Sequence, residues 1–436
     1  MTAAEEGGSR GAGQILLYFG SLTLLIYLVN PSGYLLDIPT SYMLKNQLHA
    51  SAAEVSLFRL VTAIPVYAAF VFGLIRDLWN PLGLRDRGYL LMFAPMTALV
   101  LLWLGWSRLS YAGLLVGMLL TMLSFRFSMA AYQGLIALVG QEKLMSGRLS
   151  ALWLFVWNVL SAAGAFGSGY LAEYASPQNL FYVLAALSLA IAVLGLWKPK
   201  AVFRGAYEKP QAQGSDFIGD LKRLVKHRAI YPPVLIMLLW SFSPGQSTPL
   251  QFYLANQLHV SDAVFGYYTG VFTVSFLPVY FFYGFLCKKV PLRALLWWGA
   301  IIAAPQMVTL MFVHSAAVVV LMGIPQGLMG GIANAAYYDL AMRSCPPGLQ
   351  GTMMMLFDGV YVLAFRGGDV VGSWIYAASP EHGFRNCVIT TTAAYALILP
   401  LLLLVPKALI ATADGEPNLE VDKETLREIA ESEAST

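Results

Sequence analysis

Several charged side chains stand inside long apolar stretches of this 436-residue chain, where a charge costs about 2.5–3.5 kcal/mol and needs a partner or a task. Arg126 lies in the apolar run 111–134, and Gln133 follows seven residues later, two helical turns along the same face. In the run 351–377, Asp358 and Asp369 are eleven residues apart, about three turns, with Arg366 three residues before Asp369. Asp339 stands near the end of 316–341, beside Asn334, Tyr337 and Tyr338. Arginine in such a place suits an anionic ligand, because its planar fork grips carboxylate or phosphate with two hydrogen bonds and stays charged when buried. A buried carboxyl suits proton carriage, because desolvation raises its pKa towards neutrality. Arg126, Gln133, Asp339, Asp358, Arg366 and Asp369 are therefore the candidate binding residues. The competing reading is a set of structural ion pairs, such as Arg366 with Asp369. Arg59 lies nearer a span end and is expected to snorkel. Among 23 Tyr and 10 Trp, most fit interfacial belts, while Tyr132, Trp157, Tyr337, Tyr338 and Tyr361 are placed to stack on a flat ring.

Other chemistries lack their residues. The histidines, His49, His227, His259, His314 and His382, fall in loops or at span ends, without metal-ligand spacing. No phosphate-cradling glycine loop or Ser–His–Asp set can be argued, and no segment has the size of a nucleotide-binding domain. The expectation is neither an enzyme nor an ATP-driven pump, with no cofactor and no metal. Energy for uphill movement would then come from an ion gradient or from exchange. Three cysteines, Cys287, Cys345 and Cys387, are too few and too scattered for a disulfide framework.

The elements that position these residues follow from composition. The chain is 58% hydrophobic and 12% charged, against about 25% charged in a soluble domain. Twelve stretches have about the 20 residues needed to cross a bilayer: 15–36, 53–75, 89–106, 111–134, 149–171, 180–197, 231–254, 263–286, 294–312, 316–341, 351–377 and 387–405. Residues 42–51 read YMLKNQLHAS and residues 252–261 read FYLANQLHVS, and Pro39 matches Pro249 at the same offset of 210. A block repeated at half-length points to two homologous membrane halves. The fold class expected is an all-α membrane protein, twelve transmembrane helices in two six-helix pseudo-symmetric halves. Its parts are an N-terminal bundle (1–197), a cytoplasmic linker (198–230), a C-terminal bundle (231–405) and an acidic cytoplasmic tail (406–436). The linker run from Asp220 to Arg228 predicts an amphipathic helix on anionic lipid.

Charge fixes the orientation. Of the 27 Lys and Arg, only Lys45, Arg108 and Arg385 fall in loops on one side, and only Arg59, Arg126 and Arg366 fall within spans. The rest collect on the other side, which the positive-inside rule makes cytoplasmic, with both termini. The net charge of +3 thus describes a membrane surface facing lipid headgroups rather than a nucleic-acid face. The first span is too long for a cleaved secretion signal and is expected to be retained. The tail after Pro406, with Glu420, Asp422 and Glu424 among its acids, is expected to be solvated.

Between the second and third stretches the chain reads Gly73-Leu-Ile-Arg-Asp77-Leu-Trp-Asn-Pro81-Leu-Gly83-Leu-Arg85-Asp86-Arg87-Gly88. Gly73, four residues before Asp77, lets two helices approach closely. Asp77 then lies at the membrane surface, able to accept from a helix N-terminus or to pair with arginine. Such a clasp can close in one conformation and open in another. The second half carries an echo, Gly284-Phe-Leu-Cys287-Lys288-Lys289-Val-Pro291-Leu-Arg293, without the Asp. Glycines at 164, 167 and 169, and at 327, 330 and 331, predict close helix-packing faces.

This loop resembles that of the major facilitator superfamily, and its long spacer with Pro81 and Gly83 resembles the folate–biopterin transporter family. Residues 339–373, with Cys345-Pro-Pro-Gly-Leu-Gln-Gly351-Thr352, are similar to the tenth-to-eleventh helix region of that family. The resemblance implies two bundles rocking around a midplane site, with Asp77, Arg85 and Arg87 as gating residues beside Gly73. It also implies a secondary active transporter of a small organic anion of the folate or pterin type, by alternating access, with proton symport as the expected coupling. One departure stands out: where the family commonly carries an acid in its fourth helix, this chain has Ala131-Tyr132-Gln133-Gly134. Two alternatives remain open. One is a muropeptide or acetyl-coenzyme A permease of the same fold, and the other is a non-transporting membrane assembly factor. The expected setting is a monomer in a bacterial inner membrane.

Overall fold

A computed structural model describes residues 3–174, 176–204, 228–379 and 381–417, with residues 219, 222 and 226. Among these, every regular element is a helix. The first half contains α1 (Ala3–Val29), α2 (Tyr34–Tyr42), α3 (Ala52–Tyr67), α4 (Ala69–Leu78), α5 (Asp86–Trp106), α6 (Tyr111–Glu142), α7 (Ser146–Tyr174), α8 (Pro177–Leu196) and the short α9 (Lys200–Phe203). The second half contains α10 (Tyr231–Ser241), α11 (Thr248–Asn256), α12 (Asp262–Ser275), α13 (Leu277–Leu286), α14 (Leu292–Ala303), α15 (Ala316–Arg343) and α16 (Gln350–Ala378). It ends with α17 (Gly383–Ala396), α18 (Ile398–Leu402) and α19 (Lys407–Ile410).

Ten passages among the described residues are long and apolar enough to cross a membrane. Two of the twelve expected spans differ, for separate reasons. The seventh is broken: α10 and α11 are separated by a turn around Pro244 and Gly245, where proline supplies no backbone donor. The eleventh, α16, has 29 residues, enough length, but carries Asp358, Arg366 and Asp369. The first span also ends earlier than expected. Helix α1 stops at Val29, and Asn30-Pro31-Ser32-Gly33 turns the chain, with Ser32 N donating to Asn30 Oδ1 at 3.1 Å and Gly33 N to Asn30 O at 2.8 Å.

The sequence repeat is a repeated joint. Leu48 and Ala50 donate to the carbonyls of Met43 and Leu44, and Leu258 and Val260 donate to those of Tyr253 and Leu254, 210 positions later. His49 and His259 take left-handed backbone, φ 49° and 50°, which closes a helix end. Ser51 and Ser261 then occupy the N-caps of α3 and α12. The second passage of each half also bends at a matching place, near Pro65 in one and Pro278 in the other, where proline removes a helical donor.

The halves meet where α16 packs on α4 and α6, and where α7 packs on α12, α13 and α15. Glycine makes some of these approaches possible. A Cβ at Gly73 would strike the Gly351 carbonyl of the other half, and within the second half one at Gly327 would lie 2.6 Å from Ser275 Cβ. Gly167 differs from expectation, since a Cβ there would meet open space. Asp220, Arg223 and the rest of the expected amphipathic helix lie largely outside the described residues, as does the chain after Pro417. The part of the tail that is described is not a solvated arm: Ile410, Ala413 and Asp414 are buried against the bundle.

Candidate functional site

Between the halves lies a cavity of about 340 Å³, walled by rings and amides. Helix α7 contributes Trp153, Trp157 and Asn158, α10 contributes Trp240 and Ser241, and α13 contributes Tyr280. Helix α15 adds Asn334 and Tyr338, and α16 adds Asp358 and Tyr361. The amides are held in a chain: Trp240 Nε1 donates to Asn334 Oδ1 at 2.9 Å, and Asn334 Nδ2 donates to Tyr280 Oη at 2.7 Å. Trp153 meets Tyr338 edge to face across the two halves, centroids 5.0 Å apart. Such walls can sandwich a flat ring while fixed amides read its polar edge.

Asp358 is the charged residue of this lining, and its partner is Arg126. Arg126 Nη1 donates to Asp358 Oδ2 at 2.6 Å, from α6 in the first half to α16 in the second. Arg126 is 5% exposed and its Nε has no hydrogen-bond partner among the described residues. The arginine thus stands behind the carboxylate, with donor capacity to spare.

The other candidates are placed elsewhere. Gln133, two turns along α6, is fully buried, and neither its Oε1 nor its Nε2 finds a partner among the described residues. Asp339 sits in the last turns of α15, accepting from Arg343 Nε at 2.8 Å and Tyr283 Oη at 3.4 Å. Asp369 accepts from Thr248 N and Thr248 Oγ1, both at 2.8 Å, and so closes the first turn of α11. The anticipated Arg366–Asp369 pair does not form: Arg366 is exposed and makes no ion pair among the described residues. Proximity along α16 loses here to the unsatisfied amide and hydroxyl of Thr248 in the helix break.

At the end of the bundle that carries the basic loops, a clasp joins the halves. Asp77 Oδ1 accepts from Gly351 N at 3.1 Å, and its Oδ2 accepts from Thr352 N at 2.7 Å and Thr352 Oγ1 at 2.6 Å. These donors are the first turn of α16, where unpaired amides favour an anion. Arg76 bridges Asp77 at 2.6 Å and Asp86 at 2.5 Å, all three buried. Arg87 is turned to its own half, donating to Gly195 O at 2.8 Å and Leu196 O at 3.2 Å above the Phe203 ring. Arg85 takes a left-handed backbone at the start of α5, its amide bound to Asn80 Oδ1 at 2.6 Å. Sequence reasoning did not single out Trp240, Tyr280 or Arg76. Only Arg76 left a signal, as the basic neighbour of Asp77.

Comparison with known proteins fits this architecture. The sequence model of the Major Facilitator Superfamily matches residues 16–365 and 245–430. The chain is 26% identical over 408 residues to the folate-biopterin transporter of Synechocystis sp., covering 88% of this chain and 81% of that one. It is 22% identical over 291 residues to folate transporter 1 of Plasmodium falciparum, covering 64% of this chain and 55% of that one. In structure it is similar to the human organic anion transporter MFSD10 (TETRAN), with a TM-score of 0.60, 16% identity and coverage of 89% of this chain and 98% of that one. With its two helical halves, a cavity between them and a family match over most of its length, the chain belongs to the Major Facilitator Superfamily of membrane transporters.

Proposed function

We propose that this transporter is a secondary carrier for a flat, polar heteroaromatic molecule bearing a carboxylate, of the folate or pterin class, moved together with a proton. The observation that carries the reading is the Arg126–Asp358 pair between the halves beside a ring-lined cavity. A ring system fits between Trp and Tyr faces, with Asn334 and Asn158 at its edge. A ligand carboxylate competes with Asp358 for the Arg126 fork, so ligand binding is coupled to the tie between the halves, as alternating access requires. Relatives described as folate and folate-biopterin transporters support the substrate class.

In this reading the basic end is cytoplasmic, following the positive-inside distribution, and the clasp at Asp77 closes that end while the opposite end is accessible. The carrier works as a monomer whose two halves rock about the cavity.

The test is a thermal-shift panel on purified protein with folates, pterins, muropeptides, acetyl-coenzyme A and dicarboxylates. A true ligand at 100 times its Kd stabilises the native state by about 2.7 kcal/mol. Stabilisation by folates or pterins, followed by pH-gradient-driven uptake in proteoliposomes, is the expected result. Stabilisation by acetyl-coenzyme A or muropeptides alone would replace the substrate class, and folate binding without uptake would point to a non-transporting role.

A further inference from the structure

The register of the repeat shows where the second half should carry its own clasp carboxylate. Cys287 stands 210 positions after Asp77, the offset that separates His49 from His259 and Ser51 from Ser261. Gly351 is the second residue of α16, and a Cβ there would lie 2.8 Å from Asp77 Oδ1. Gly147 is the second residue of α7, and a Cβ there would lie 2.9 Å from Cys287 Cβ, 3.1 Å from its sulfur and 2.9 Å from Asp339 Oδ2. Each glycine thus packs against the residue at the register position, Asp77 in one half and Cys287 in the other, where the side chain is a thiol and not a carboxylate.

The missing charge arrives from the C-terminal segment. Asp414 N donates to Cys287 O at 2.8 Å, which seats its side chain beside the thiol. Asp414 Oδ1 accepts from Gly147 N at 3.0 Å, and Oδ2 accepts from Arg148 Nε at 2.6 Å. Asp77 is bound in the same pattern. One oxygen takes the amide of the helix's second residue, Gly351, and the other takes the donors of its third, Thr352. The Asp414 side chain is 1% exposed. Arg343 Nη1 donates to Thr412 O at 3.0 Å, and Asp339 holds Arg343 in turn, so the segment is tied to the second half two residues before its carboxylate.

We propose that Asp414 is the clasp carboxylate of the second half, so that residues 407–417 form part of the gate at the basic end. Asp77 reaches from the first half to the α16 N-terminus of the second, and Asp414 reaches from the second half to the α7 N-terminus of the first. The basic end opens only when both let go. This inference concerns the gate alone and holds for any substrate.

Cys345 supplies a readout free of ligand. It is buried at the joint, where its carbonyl accepts from Gln141 Nε2 at 2.8 Å, and burial pushes its thiol well above the ordinary range. It should therefore react slowly with maleimide while the basic end is closed. In the full chain carrying Cys287→Ser and Cys387→Ser, purified in detergent, Asp414→Ala should speed labelling of Cys345 roughly tenfold, as a loss of about 1.4 kcal/mol from the closed state would. Asp77→Asn, the control for an opened end, should do the same. Adding Cys287→Asp in place of Cys287→Ser to Asp414→Ala should return the rate towards that of the parent. Asp414→Asn keeps the shape and removes the charge, and should also label faster. Labelling unchanged in a folded Asp414→Asn chain, while Asp77→Asn labels faster, would overturn the proposal. Fast labelling that Cys287→Asp does not slow would overturn the equivalence of the two positions.

Discussion

Arg126 and Asp358, 232 residues apart in sequence, meet at 2.6 Å across the boundary between the two halves, at the wall of the cavity. One ion pair is thus at once a structural tie and a place where a carboxylate ligand can compete.

The two roles separate by mutation. Arg126→Ala leaves Asp358 uncompensated and should lose uptake by more than about tenfold, with lowered thermal stability. Removing one member of a buried pair typically costs about 3–5 kcal/mol, and the partial exposure of Asp358 places this case at or below the lower end. Arg126→Ala with Asp358→Ala should regain stability and not uptake. Uptake at the wild-type rate in Arg126→Ala would remove Arg126 from the site.

Asp77→Asn should slow turnover more than it weakens apparent affinity, because the clasp is remote from the cavity and acts on the equilibrium between open and closed ends. Initial-rate uptake over a range of substrate concentrations decides this. An unchanged maximal rate with a raised KM would contradict it.

Gly351→Val places branched carbons against Arg76 Cδ, 2.7 Å from the new Cβ, and against Asp77. Overpacking of this kind costs about 1–3 kcal/mol. The melting temperature should fall and uptake should fail, since α16 can no longer seat its N-terminus on Asp77. A melting temperature at the wild-type value would show that the joint yields more readily than its geometry implies.

The repeated joint predicts an asymmetry. Ser51 accepts from the Glu54 amide while Glu54 closes back on Ser51, whereas the Ser261 side chain makes no capping bond. Ser51→Ala should destabilise by about 1 kcal/mol and Ser261→Ala by much less. The hydrogen bonds from Ser51 hold the Glu54 carboxyl below its usual range. Its contribution is therefore present above the ordinary carboxylate pKa and fades as pH falls through the lowered value. The difference between Ser51→Ala and the parent in thermal melts should shrink in acid.

Much was legible before any coordinates. Apolar length and the small number of charges require membrane helices, because nothing but lipid can take up so much apolar surface. The NQLH repeat announced two halves, and its chemistry is local: a left-handed His and a capping Ser close one helix and start the next within ten residues. The place of Asp77 four residues after Gly73 allowed a bond to a helix N-terminus or to arginine, and Asp77 makes both, since a turn of helix presents its amides wherever it starts.

Pairing was not legible. Neighbouring charges on α16 suggested Arg366 with Asp369, yet Asp369 serves Thr248 in the break of the seventh span, and Asp358 serves Arg126 in the other half. The apparent acidic tail conceals Asp414, and Cys287 looked only like a motif that had decayed. Sequence alone determined the helices, the two halves and the residues too costly to bury without a partner, because those follow from local periodicity and transfer free energy. Which partner each took was decided only by tertiary structure, because an ion pair depends on inverse distance, and distance between helices far apart in sequence is set by how the halves pack.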